Sequence, residues 1–297
     1  MLGRITLQAR TQRTLRGLND NLRTLEGLEA QVASGKRFQR PSDDPARVAR
    51  SSLLRSQGRR LEGSLETAEV VRNELALTDS ALQGVSNVLI RANELAVQGA
   101  SDILGPDERA ALAQEAQALL DETLGLANTE LGGRFLFGGT VTESEPFSLD
   151  AGGPTYAGND TARVVQVGPA EIQSATAGAP PFASDGGPPG VLDALTTLRD
   201  ALSANDPSAV RSSLDDLEGA RSLTTTSLGK IGAQQSRLDS AVDGLQVRSD
   251  TVERLLGDTE NADLTESIVD LQLQQTAYER SIQVVSGVLR VSLLDVL

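Results

Sequence analysis

The 297-residue sequence lacks histidine, cysteine and tryptophan, and it contains only five phenylalanines and two tyrosines. Without histidine or cysteine there is no imidazole base, no thiolate nucleophile and neither of the ligands that zinc, iron–sulfur and haem sites usually need. The scarcity of aromatic residues argues against a large ligand pocket. We therefore expect no enzymatic activity, no cofactor and no metal site, and a core of leucine, valine, isoleucine and alanine that suits helix packing.

The formal net charge of −14 is distributed unevenly along the chain. Residues 1–60 hold 13 basic and 5 acidic residues, whereas residues 61–297 hold 14 basic and 36 acidic ones. The acidic total disfavours nonspecific nucleic-acid binding, and the basic start lacks interleaved aromatic residues. The sequence also has no apolar run long enough to span a membrane, and residues 1–10 do not resemble a cleaved signal peptide. We predict neither a nucleic-acid nor a membrane partner.

Both ends of the chain carry apolar residues at heptad spacing, which is typical of coiled coils. We predict helices over residues 4–34 and from residue 264 onwards that pair antiparallel, with the arginines of the first helix facing an acidic C-terminal region. The apolar residues at heptad spacing form a seam along each helix. Each helix should cover only part of the other's seam, and the uncovered part should bind neighbouring copies. The alternative is a four-helix bundle closed within one chain. The predicted assembly seam comprises Leu15, Leu18, Leu22, Leu25, Val32, Leu264, Ile268, Leu271, Tyr278, Ile282, Val285 and Leu289.

Capping residues, prolines and glycines predict where further helices begin and end in the rest of the chain. Asp44 followed by Pro45 is a typical N-cap and first helical residue, so a second helix should begin there. A third helix should begin at Pro106 and end at Gly132-Gly133. After Asn205-Asp206 the heptad pattern predicts a helix from Pro207 to Leu256, about 75 Å long at 1.5 Å per residue.

Residues 134–190 differ in composition from the helical parts. They hold seven of the eleven prolines, ten glycines and four of the five phenylalanines, and the segments 134–137 and 162–167 read as short strands. We predict a mainly α fold: an elongated antiparallel helical rod, a coiled coil formed by both chain ends, and a small β-rich inserted domain. The predicted domains are the terminal helices (1–40 with 257–297), the rod (41–133 with 191–256) and the insert (134–190).

Three motifs follow one another along the chain. The first lies between the first two predicted helices, the second opens the insert, and the third comprises residues 272–276 and 292–295 near the C-terminus. The first two consist of Gly35, Lys36, Arg37, Pro41, Ser42, Asp43, Asp44, Pro45, Phe135, Phe137, Gly138, Gly139, Pro146 and Phe147. In this order, the three motifs resemble the flagellin superfamily in the form found in hook–filament junction proteins.

The resemblance implies a structural subunit of the bacterial flagellum that links the hook to the filament by polymerising through its terminal helices. It implies a location outside the cell, reached through the flagellar type III apparatus without a cleaved signal peptide. The implied partners are copies of the chain in a ring, a second hook-associated junction protein on the hook side, flagellin on the filament side, and an export chaperone.

Two alternatives remain at this level. The chain could be flagellin itself, the filament subunit, although the motif around Phe135 and Pro146 favours the junction protein. An enzyme acting on cell-wall or glycan substrates would need paired carboxylates in the insert. The insert offers several acidic residues, but no spacing singles out a pair: Glu143, Glu145, Asp150, Asp160, Glu171 and Asp185.

Overall fold

The computed structural model of the protein describes residues 2–150, 152–159, 161–173, 181–183 and 189–294, and it describes their side chains apart from those at 2–8, 10, 11 and 288–294. Within these residues the fold is mainly α-helical, as predicted. The helices are α1 (Leu2–Ser34), α2 (Pro45–Gly99), α3 (Pro106–Ala127), α4 (Val191–Ser203), α5 (Pro207–Glu260) and α6 (Leu264–Leu294).

The described strands form three antiparallel two-stranded hairpins. They are β1 (Glu130–Leu131) with β2 (Arg134–Phe135), β3 (Phe147–Asp150) with β4 (Gly153–Tyr156), and β5 (Val164–Val167) with β6 (Ala170–Gln173). They lie between α3 and α4 in the sequence, so the predicted β-rich insert is confirmed.

Most helix boundaries follow their sequence signals. The Asp44 carboxylate accepts the backbone N–H of Arg47 at 3.0 Å, which confirms Asp44 as the cap of α2. Helix α3 begins at Pro106, as predicted, but it ends at Ala127. Gly132 and Gly133 instead form the turn of the β1–β2 hairpin with φ angles of +60° and +77°, a conformation that favours glycine.

Helix α5 is longer than predicted. The predicted helix ends at Leu256, whereas α5 continues to Glu260. Glycine commonly ends a helix, but Gly257 does not, and the backbone N–H of Asn261 still bonds to the carbonyl of Gly257 at 2.8 Å. The next helix begins after Asp263, whose carboxylate accepts the N–H groups of Thr265 and Glu266.

The chain forms two compact units, residues 1–60 with 248–297 and residues 61–247. In the second unit, the buried core draws leucine, valine and alanine side chains from α2, α3, α4 and α5. Seven α2 residues at steps of three, four or seven residues are buried there: Ala68, Leu75, Leu82, Val85, Leu89, Ala92 and Ala96. The division into three predicted domains stays a prediction.

An aromatic cluster anchors the insert within the second unit. Phe137, Phe147 and Phe182 are each at most 1% exposed, and Phe182 lies with its ring centroid 4.8 Å from Phe137 and 5.2 Å from Phe147. Asn128, just after α3, exchanges two hydrogen bonds with the backbone of Phe147. Three of the chain's seven aromatic residues therefore pack the insert into the core of the second unit.

Candidate functional site: the paired terminal helices

In the first unit, α1 and α6 lie side by side and antiparallel. Asn21 bonds to residues 274 and 281 of α6, whereas Gly35 accepts the backbone N–H of Ala262 at 2.9 Å. Moving forward along α1 therefore corresponds to moving backward along α6. The predicted antiparallel pairing of the chain ends is confirmed.

The residues of α1 and α6 that lie nearest the partner helix differ partly from the predicted seam. On α6 the buried or half-buried positions at heptad spacing are Ser267, Leu271, Gln274, Tyr278, Ser281 and Val285. On α1 the corresponding half-buried positions are Thr14, Leu18, Asn21, Leu25, Leu28 and Val32. Both lines repeat every 3 or 4 residues, as a coiled coil requires, but half of the α6 line is polar.

A polar layer interrupts this contact near its middle. The side-chain amide of Asn21 donates to the hydroxyl of Ser281 at 2.8 Å, and the amide of Gln274 donates to the backbone carbonyl of Asn21 at 3.1 Å. A polar residue at a core position of a coiled coil fixes the register at some cost in stability. The spacing of apolar residues could not reveal this layer, because it consists of the residues that such spacing treats as surface.

Several members of the predicted assembly seam lie beside this contact line and face solvent. Leu15 is 41% exposed, Leu264 47%, Ile268 43% and Ile282 44%. Leu18, Leu22, Leu25, Val32, Leu271 and Tyr278 are half-buried, Val285 is buried, and the side chain of Leu289 lies outside the described residues. The paired helices thus cover part of the seam and leave part of it uncovered.

The arginines of α1 do not join it to α6 through charge. Arg23 lies 3.9 Å from Asp20 of its own helix, and among the side chains that the structure describes no ion pair links α1 to α6. The side chain of Arg10 lies outside that description. The predicted charge pairing is therefore wrong for Arg13, Arg16 and Arg23, and amide and hydroxyl groups make the polar contacts instead.

The first family motif builds the junction between α1 and α6. Gly35 has a φ of +66° and ends α1, and the following residue, Lys36, pairs with Asn261 as an antiparallel β-bridge. The N–H of Arg37 donates to the carbonyl of Glu260 at 2.7 Å. The motif thus ties the end of α1 to the segment that connects α5 with α6.

The centre of this junction is the carboxylate of Glu260, which is only 4% exposed. It accepts hydrogen bonds from the Lys36 ammonium at 3.1 Å and from the Ser51 hydroxyl, and it pairs with the Arg55 guanidinium at 2.7 Å. Burial alone would raise the pKa of Glu260, but the bonds from Ser51, Arg55 and Lys36 outweigh it and lower that pKa to about 2. Glu260 is a residue that the sequence did not single out.

The rest of the first motif shapes the loop between α1 and α2. The Asp43 carboxylate accepts the backbone N–H groups of Arg40 and Gln39, at 2.9 and 3.2 Å, and these bonds lower the pKa of Asp43. Pro41 and Ser42 occupy the turn that this carboxylate closes, and Pro45 is the first residue of α2. Asp43 and Asp44 therefore act as loop and cap residues.

Most residues of the second family motif lie in the interior of the insert. Phe137, Pro146 and Phe147 are buried, and Phe135 pairs with Glu130 across the β1–β2 hairpin. Gly138 and Gly139 are also buried, and a methyl group on Gly138 would lie 2.1 Å from the carbonyl oxygen of Val141. These residues belong to the second compact unit and take no part in the contact between α1 and α6.

Comparison with known families accounts for this arrangement. The model of the bacterial flagellin N-terminal helical region matches residues 5–142, and that of the bacterial flagellin C-terminal helical region matches residues 214–297. The two matches take in both paired helices, α1 and α6. The chain belongs to the flagellin superfamily.

Individual members of the flagellin superfamily match to different extents. Flagellar hook-associated protein 3 of Escherichia coli K12 is 33% identical over 151 residues, which is 50% of this chain and 47% of that protein. Flagellin FlaB1 of Treponema pallidum is 25% identical over 268 residues, 89% of this chain and 87% of that protein. The chain spans about half the length of the hook-associated relatives that it matches.

Solved structures support the flagellin-superfamily fold. A Vibrio parahaemolyticus protein described as a flagellar hook-associated protein superposes with a TM-score of 0.68 at 21% identity, over 74% of this chain and all of that one. The flagellar junction protein FlgL of Legionella pneumophila gives 0.56 at 14% identity, over 64% of this chain and 99% of that one. The predicted flagellin-like fold is confirmed. Among the described residues, no helix is both long and apolar enough to cross a membrane.

Proposed function

We propose that this chain is a structural subunit of the bacterial flagellum that joins the hook to the filament. The observation that carries the proposal is the antiparallel pair of terminal helices, which leaves Leu15, Leu264, Ile268 and Ile282 between 41% and 47% exposed. Exposed apolar side chains beside a coiled-coil contact are suited to further helices packing on the same pair. Polymerisation through these helices is the mechanism, and burial of the exposed side chains is its driving force.

The names of the relatives favour a role as the junction protein over a role as the filament subunit. The hook-associated protein 3 of E. coli is 33% identical over the residues it shares with this chain, against 25% for flagellin FlaB1. Solved relatives include a protein named as a flagellar junction protein. The proposed partners are copies of the chain in a ring, a second hook-associated protein towards the hook, flagellin towards the filament, and an export chaperone in the cell. The proposed location is the extracellular flagellum, reached without a cleaved signal peptide.

Deletion of the gene tests this function directly. Cells without the protein should build hooks, secrete flagellin into the medium and carry no filaments, and the wild-type gene should restore filaments. Electron microscopy would show the hooks, and immunoblotting of the medium would detect flagellin. Normal filaments in the deletion strain would refute the junction role. Long filaments formed by the purified protein alone would support flagellin instead.

The role of the terminal helices is tested by Leu22→Asp combined with Ile282→Asp. Each substitution places a carboxylate on a half-exposed apolar position of the paired helices, so incorporation should be abolished. The second compact unit contains neither residue and should remain folded, as judged by hydrogen exchange of α3 and α4. Substituting Val247, which is 66% exposed on α5, by aspartate is a matched control. Normal filament attachment in the double variant would contradict assembly through these helices.

A further inference from the structure

A basic pocket lies in the first compact unit beside the buried carboxylate of Glu260. Its volume is about 440 Å³, and its walls come from Lys36, from residues 38–41, from one face of α2 between Val48 and Arg59, and from Glu260. All of these residues belong to the same unit as the paired helices. The pocket therefore sits on the part of the chain that carries the proposed assembly surface.

The charges of the pocket are not balanced within the chain. Four cationic side chains, Lys36, Arg40, Arg55 and Arg59, line it together with one carboxylate, Glu260. Lys36 and Arg55 already bind Glu260. Arg40 is attracted weakly to Asp43 but forms no salt bridge in the described part of the chain, and neither does Arg59. Two guanidinium groups are thus left to bind an anion.

The remaining walls suit a carboxylate that is attached to a hydrocarbon stem. Phe38, Pro41 and Val48 line the pocket between its cationic groups. Apolar walls stabilise methylene groups, whereas guanidinium groups bind carboxylates through charge-assisted hydrogen bonds. An aspartate or glutamate side chain offers both parts, and residues 61–297 of the chain hold 36 such residues against 14 basic ones.

We propose that the pocket receives an acidic side chain from a neighbouring copy of this chain during assembly. The proposal rests on the proposed function, since it requires copies of the chain to pack together. It adds a specific electrostatic contact to the apolar contacts of the terminal helices. The acidic remainder of one copy is complementary in charge to the basic pocket of the next.

A cross-linking experiment tests the pocket in assembled flagella. Because the chain has no cysteine, Ser52→Cys gives a single attachment point in the pocket wall for a benzophenone label. Labelled protein is allowed to assemble, irradiated and digested, and the cross-linked peptides are identified by mass spectrometry. We expect a cross-linked species of twice the chain's mass, in which the label joins a second copy of the chain at a peptide that contains aspartate or glutamate. A cross-link to a different protein, a peptide without acidic residues, or no cross-link between copies would overturn the proposal.

Two arginines on α2 provide the matched comparison. Arg59 lines the pocket, whereas Arg50 lies nine residues earlier, which places it on the opposite side of the helix. Loss of one charge-assisted hydrogen bond should reduce the cross-linked fraction about tenfold in Arg59→Gln. Arg50→Gln should leave that fraction unchanged. Equal cross-linking in the two variants would overturn the proposal.

Two results distinguish a wrong pocket proposal from a wrong function proposal. Restoration of filaments by the unlabelled wild-type chain is scored first in the deletion strain. If filaments are not restored, the proposed function is wrong. If filaments are restored and the expected cross-link is absent, only the pocket proposal is wrong.

Discussion

Replacing Glu260 by glutamine should loosen the junction between α1, α2 and α6. The carboxylate of Glu260 holds Lys36 on the motif that follows α1 and Ser51 and Arg55 on α2. Glutamine keeps the shape of the side chain but removes its charge. One of its two polar atoms is an NH₂ group that cannot accept a hydrogen bond, so at least one donor is left without its partner.

The loss of stability expected in Glu260→Gln follows from the lowered pKa of Glu260. Its pKa is lowered from 4.5 to about 2, which corresponds to about 3 kcal/mol of stabilisation of the folded first unit at neutral pH. The Lys36 and Arg55 side chains are 45% and 57% exposed, so water compensates them in part when the charge is removed. We therefore expect Glu260→Gln to cost about 2 kcal/mol at pH 7.

The stability of the first unit should depend on pH through Glu260. The folded pKa of Glu260 lies below its unfolded value, so its stabilisation is complete above the unfolded pKa of about 4.5 and is lost as the pH falls towards 2. The wild-type first unit should weaken over this window, and the Glu260→Gln variant should lack that component. The two proteins should approach equal stability near pH 2.

Hydrogen exchange measured by mass spectrometry is the suitable assay, because it reports on peptides from the first unit separately. At pH 7 the protection of α1 and α6 peptides should fall about thirtyfold in Glu260→Gln, which is the factor that corresponds to about 2 kcal/mol. Glu253→Gln is the control, since Glu253 is an exposed glutamate of the same helix. Unchanged protection in Glu260→Gln, or an unchanged pH dependence between 4.5 and 2, would refute the reasoning.

Two further substitutions address the polar layer and the insert. Asn21→Leu removes the side-chain hydrogen bonds to Ser281 and Gln274 and keeps only the backbone carbonyl that accepts from Gln274, so distances between spin labels on exposed positions of α1 and α6 should become heterogeneous. Asn19→Leu, at an exposed position, should keep a single distance. If the distribution of spin-label distances is narrow in both variants, the polar layer does not set the register. Gly138→Ala places a methyl group 2.1 Å from a backbone oxygen and should destabilise the second unit by about 2 kcal/mol, whereas Gly125→Ala, which meets no atom within 4 Å, should raise its stability in thermal denaturation.

Local signals were sufficient to predict the helices. The cap at Asp44, the helix start at Pro106 and the break before Pro207 each depend on residues within one turn of the boundary, and the structure has all three. Glycine was less informative, because it can end a helix or form a hairpin turn. Gly132 and Gly133 do the latter, and only the pairing of Leu131 with Arg134 distinguishes the two roles.

The junction around Glu260 could not be predicted from the sequence. Its partners Lys36, Ser51 and Arg55 lie more than 200 residues earlier in the chain. An acidic residue near the end of a helix has no local feature that distinguishes a buried glutamate from a solvated one. The first family motif marked one half of the site through Lys36, but its chemistry depends on a fold that brings the two ends together.

The polar layer and the exposed seam together suit the proposed assembly through a weak helix pair. Asn21, Gln274 and Ser281 specify the partner and register of α1 and α6 without adding much stability. The four exposed seam residues still have roughly 40% of their surfaces to bury, worth about 1 kcal/mol each and about 4 kcal/mol together. A free energy of that size corresponds to a dissociation constant near 1 mM, before the entropic cost of association is subtracted. Isolated copies should therefore stay apart, and stable incorporation should require several neighbours to be contacted at once, as at the end of an existing structure.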